Sequence, residues 1–148
     1  MNYKLIECSD KRIWSKFESE SPQSNLFCQI KFLDAYHKTR VENYKLMFVA
    51  NGELILMGVV IVEDLNKEES KNPFMYQGVL LSQHIESLQS HKKIKKLLEL
   101  TQFLLTELES LYGSVTLSLH HSLNDLRGFQ WHNYQNPQGL QPSLNLCY

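Results

Sequence analysis

A mixed α/β (α+β) fold, with a mainly antiparallel sheet flanked by helices, is predicted by three features of the sequence. Two runs rich in Val, Ile, Leu and Phe, Tyr44–Ala50 and Glu53–Glu63, are joined by Asn51-Gly52, a pair that tolerates the positive φ of a type I′ hairpin turn. Farther on, Ile94, Leu97, Leu98, Thr101, Leu104, Leu105, Leu108 and Leu111 mark one face of a helix from about Ser90 to Tyr112, with the spacing of a helix packed on one side. Ser114–Leu119 then alternates strictly as a strand. A run of strands followed by a strand, helix, strand crossover gives a mixed sheet with helices on both faces.

The elements in between follow from local chemistry. Tyr3–Cys8 reads as a short strand, and Asp10 as the N-cap of a helix that gathers Ile13, Trp14 and Phe17 on one side. The polar loop SESPQSN with Pro22 ends that helix, and a second runs from Gln29 to Lys38 on Ile30, Phe32, Leu33 and Tyr36. The run Val59–Val62 is continuously apolar, the pattern of a strand buried on both faces at the sheet centre. DLNKEESKNP reads as a charged loop and Phe74–Ser82 as a further strand, where Gly78 marks a bulge or a close backbone approach. Gly113 stands where the long helix should end in a left-handed residue, and SLNLCY begins a last strand.

Composition bounds the function. The chain of 148 residues fits one domain, able to bury about two thirds of its unfolded surface. Hydrophobic residues make up 43%, charged residues 21%, and the net charge is −1, which supplies no general attraction to DNA or an anionic membrane. The three cysteines, Cys8, Cys28 and Cys147, form no CxxC pair, so neither a disulfide framework nor a zinc knuckle is indicated. The start MNYKLIECSDKR has no apolar signal core, and no apolar run approaches the roughly 18 residues of a membrane span. These features place the chain in the cytoplasm.

The densest chemistry lies in Asn124–Tyr134, NDLRGFQWHNY. Asn124 and Asp125 open a turn, and Arg127 stands close enough to pair with Asp125 or with a ligand anion. Trp131 and Tyr134 carry large apolar bodies with polar tips, suited to a lobe interface or a cleft lining.

WSKFESESPQSNLFCQIKFLDAY resembles the opening of the Fem-like aminoacyl and acyl transferases that build peptidoglycan cross-bridges, in which a helical Trp and Phe precede a Ser-Pro turn, a buried Phe and an aromatic helix. YQGVLLS and DLRGFQWHNYQ are similar to the middle and end of the same amino-terminal lobe. The resemblance covers nearly the whole chain and implies a GNAT-like fold. It implies one lobe of a two-lobe protein, residues 1–148 forming the amino-terminal half, with a second GNAT-like lobe or a homodimer partner completing it. It further implies a small acceptor or cell-wall precursor in the cleft, and acyl-coenzyme A or aminoacyl-tRNA as the donor of the full protein. Arg127, Trp131, Tyr134 and Tyr76 are then the candidate acceptor wall.

Donor binding by this lobe is not expected. Family members that bind coenzyme A use a glycine-containing turn before the long helix, whereas SQHIESLQSHKK has no glycine to let a pyrophosphate approach the backbone. The helix start does carry His91, Lys92, Lys93, Lys95 and Lys96, either an anion site reinforced by the helix dipole or a solvated basic face. His120 and His121, as strand neighbours, should point to opposite faces, which excludes a shared metal. His132 reads as a structural histidine or a cleft base, and Cys28 as a buried thiol. Two further readings stay open. One is a self-sufficient small N-acetyltransferase with a divergent donor loop around Gln89–Lys93; the other is a non-catalytic module that pairs through its sheet edge.

Overall fold

A computed structural model describes residues 2–37, 43–64 and 69–143. Strand β1 (Tyr3–Glu7) leads to helix α1 (Lys11–Glu20), a single turn at Leu26–Cys28 and helix α2 (Ile30–His37). The hairpin β2 (Asn43–Asn51) and β3 (Leu54–Asp64) follows, then the short strands β4 (Glu69–Lys71) and β5 (Val79–Leu81). Helices α3 (Gln83–Glu86) and α4 (Ser90–Leu111), strand β6 (Ser114–Val115) and helix α5 (Arg127–Gln130) complete the described order. The chain is therefore the mixed, mainly antiparallel sheet flanked by helices that its sequence predicts. The expected last strand, 143–148, lies outside the described residues from 144 on, as does the expected end of the second helix at Lys38.

Capping and alternation explain most of these elements. Asp10 accepts a 2.9 Å bond from the Arg12 N–H and opens α1. Along β2 and β3, Met47, Val49, Met57, Val59 and Ile61 face the long helix α4 with Leu97, Leu100, Leu104 and Leu108. The intervening Leu46, Phe48 and Val60 face Trp14, Cys28 and Leu33 on the other side. From Leu46 to Val49 and from Val59 to Ile61 successive residues thus belong to opposite cores, as strand geometry demands. Trp14 is fully buried, stacks on Phe48 at 5.4 Å and donates its indole N–H to the Cys28 carbonyl at 2.9 Å. Its loss would cost about 3–5 kcal/mol.

The hairpin differs from expectation in one detail. Asn51 still pairs with Leu54, so the two loop residues are Gly52 and Glu53, and Gly52 alone takes a positive φ, 62°. That is the type II′ pattern, for which glycine at the first loop position suffices. Gly113 likewise takes no positive φ, because α4 runs directly into extended backbone at Tyr112.

The larger departure lies beside β3. In place of one strand from Phe74 to Ser82, the neighbour of β3 is split: β4 pairs with Val62–Asp64 and β5 with Met57–Val59, while residues 72–78 leave the ladder. Part of the expected charged loop is therefore a strand. The Asn72 side chain fills the gap, donating to the Val60 carbonyl at 2.8 Å and accepting from the Ser118 N–H at 2.9 Å. Gly78 then rejoins, its N–H on the Ser118 carbonyl at 2.8 Å and its carbonyl on the Val60 N–H at 3.0 Å. A Cβ on Gly78 would lie 2.7 Å from that Ser118 oxygen, which is the close approach that its sequence position predicts. Beyond β6 the expected strand continues as isolated bonds, the Thr116 N–H on the Ser70 carbonyl at 2.8 Å and those of Ser118.

Asn72→Ala leaves the buried Val60 carbonyl and the half-buried Ser118 N–H unmet, so urea unfolding should show a loss of about 2 kcal/mol with an unchanged slope.

Candidate functional site

After Ser118 the sheet opens. β5 continues to Leu81, while the chain beyond Leu119 turns away and, with the start of α4, borders an open cavity of about 600 Å³. Leu81, Lys93, Ile94, Leu97, Ser122 and Leu123 line it together with Asn124–Arg127 and Gln130. The backbone of Leu81 would be exposed by this opening, and two buried side chains from the loop after α1 satisfy it. Gln23 Oε1 accepts from the Leu81 N–H at 2.8 Å and Ser21 Oγ donates to the Leu81 carbonyl at 2.8 Å. The other end of the Gln23 amide donates to Ser122 Oγ at 3.0 Å, tying the two banks of the opening together.

Two of the candidate cations meet in this cavity. Lys93 reaches it from the first turns of α4 and bonds Glu86 at 2.6 Å. Arg127 reaches it from α5 and holds Asp125 in a fork, Nε to Oδ1 at 2.8 Å and Nη2 to Oδ2 at 2.6 Å. The Arg127 backbone N–H also approaches Asp125 Oδ1 at 3.3 Å, so the pair closes the turn that the sequence anticipates. The guanidinium bonds hold the Asp125 carboxyl below its ordinary range and push Arg127 up. His91 and Lys92 are exposed at the helix start and are not among the lining residues. Lys96 is not among the lining residues either and donates to the Tyr3 hydroxyl at 2.9 Å.

The candidate aromatic wall divides. Trp131 lies over Arg127, 5.8 Å from its guanidinium carbon to the ring centre, and keeps 52% of its surface exposed. Tyr134 follows at 82% exposure. Their loop is fastened to α4 by Glu109, which accepts from His132 Nε2 at 2.8 Å, Asn133 Nδ2 at 2.9 Å and the Leu140 N–H at 2.8 Å. His132 thus has a structural partner. Tyr76 stands apart from Arg127, packed instead on His120 and His121 with ring centres 4.7 and 5.5 Å away.

The two histidines do not point to opposite faces. Their rings lie 4.2 Å apart, because regular strand geometry ends at Val115 and His121 already belongs to a turn. Among the described residues no group of three or more His, Cys, Asp or Glu is placed to hold a metal. Burial pushes the Cys28 thiol up to about 12, and it donates weakly to the Tyr76 and Gln77 carbonyls. It is a buried packing group. No helix among the described residues is long and apolar enough to cross a membrane.

No family model matches the chain, and neither does any curated protein or solved structure.

Sequence reasoning passes over Gln23, Ser21, Glu109 and Ser122, which sit in polar stretches with no periodicity to single them out. Glu109 gives a measurable pH signature. The Leu140 N–H, with Asn133 and His132, holds its carboxyl below the ordinary glutamate range. Its contribution to stability is therefore complete above the unfolded value and is lost as pH falls through the folded one. Glu109→Gln should lower the urea midpoint at pH 7 and reduce the further drop between pH 5 and 3, as read by tryptophan fluorescence.

Proposed function

We propose that the chain is the amino-terminal, GNAT-like lobe of a Fem-like acyl or aminoacyl transferase, acting in the cytoplasm. It forms the acceptor side of a cleft and leaves donor binding to a second lobe or a partner copy. The observation that carries this reading is the cavity that brings Lys93 and Arg127 together beside the exposed Trp131 and Tyr134. Two cations converging from different elements suit an anionic acceptor, and exposed aromatics with polar tips suit a surface that a ligand or a second lobe covers. Because Glu86 and Asp125 already bond these cations, an entering anion must share them. A diphosphate-bearing cell-wall precursor, carrying more than one charge, competes better than a single carboxylate.

Two features support a donor site elsewhere. The connection before α4 has no glycine, and the backbone of Leu81, at the rim of the cavity, is already taken by Ser21 and Gln23. An extended donor arm would find no free main-chain partner on that residue.

Nitrogen-resolved NMR titration with a uridine diphosphate-linked muramoyl peptide should shift the Arg127 and Trp131 side-chain signals. Arg127→Ala should weaken binding about tenfold, the equivalent of about 1.4 kcal/mol. Calorimetry with acetyl-coenzyme A should give no micromolar binding. Micromolar binding there would favour a self-sufficient N-acetyltransferase, and unshifted signals in the first titration would remove the acceptor wall.

A further inference from the structure

We propose that Ser122 is an acyl-accepting nucleophile with His120 as its base, opening on the cavity and attacking the ester or thioester of a small acyl group. This goes beyond the acceptor-wall reading and does not depend on the family. Ser122 lines the cavity and is exposed, and its Oγ lies 2.9 Å from His120 Nδ1, the reach expected between a nucleophile and its base.

The proton positions follow from the neighbouring bonds. Gln23 Oε1 accepts from the Leu81 N–H, which can only donate, so the other end of the amide, donating to Ser122 Oγ at 3.0 Å, is Nε2. The hydroxyl hydrogen is then free to point at His120. Nδ1 also accepts the Ser122 backbone N–H at 3.2 Å, so its lone pair faces Ser122 and the imidazole proton sits on Nε2. Burial, and then His121, hold His120 below the ordinary imidazole value, which keeps it neutral at pH 7.

The base is held in place by a strained residue. Tyr76 packs its ring 4.7 Å from His120 while its backbone adopts a φ of 60°, an uncommon state for a bulky side chain and one that concentrates at functional sites. Asn25 Nδ2 at 2.9 Å and Cys28 Sγ at 3.4 Å fix the Tyr76 carbonyl. Asn124, Lys93 and Arg127 line the same cavity, and groups of this kind stabilise a developing oxyanion when they reach it.

The step balances with water as co-reactant. Ser122 Oγ bonds to the acyl carbon as its proton passes to His120 Nδ1; the bond to the alcohol or thiol breaks, and that leaving group takes the proton. Water then attacks acyl-Ser122 through the same base, releasing the acid and restoring the hydroxyl.

The same contacts also close a turn, and His120→Asn separates the two roles, because Asn Oδ1 can accept the Ser122 N–H without acting as a base. A fluorophosphonate probe should form one adduct, located on Ser122 by peptide mass spectrometry. Ser122→Ala should abolish it. His120→Asn should slow labelling by about 100-fold while the thermal midpoint stays within about 2 °C. No adduct on the native chain, an adduct elsewhere, or equal rates in native protein and His120→Asn would overturn the proposal.

Discussion

The partner of the central strand β3 is broken in two, and the geometry of the rest of the molecule depends on how that break is held. A strand leaving its ladder strands donors and acceptors on both neighbours, which is costly inside a core. Here Asn72 stands in for the missing peptide beside β3, meeting Val60 and Ser118, and Gln23 does so at the far end of β5, where the chain after β6 has turned away, meeting Leu81 and Ser122. Both amides are more than nine-tenths buried. A carboxamide suits this position because it carries a donor and an acceptor, as the peptide it replaces does.

The break also shapes the candidate site. The excursion of residues 72–78 places Tyr76 against His120 and His121, and the opening beyond Ser118 leaves room for Ser122, Lys93 and Arg127 to share one cavity. An unbroken strand in this place would have closed the gap with main-chain bonds. Instead, buried side chains hold the two banks at a fixed distance while the space between them stays open. The apolar layers on either side, Trp14 and Phe48 on one face and Leu100 and Leu104 on the other, make the surrounding sheet rigid enough to maintain that spacing.

Elements whose signal is periodic were legible in the sequence. The hairpin, the long helix, the Asp10 cap and the turn closed by Asp125 and Arg127 all follow from local pattern or local hydrogen bonding. The split of the fourth strand was not legible, since Phe74–Ser82 is as apolar as a true strand and the competing bonds come from Asn72 and Ser118, 46 residues apart. The histidine pair was misread for the same reason: its geometry depends on where the strand ends. Arg127 and Lys93 were identifiable as residues, but their meeting across the cavity depends on the packing of α5 on α4. Gln23 and Ser122 carry no local mark at all.

Native-state hydrogen exchange of single amides tests this arrangement most directly. If the side-chain splints hold the break, the amides of Gly78, Leu81 and Ser118 exchange only through global unfolding, as slowly as that of Val60 in the central strand. Exchange of those three at the rate of a surface turn such as Asn136, with Val60 still protected, would contradict it.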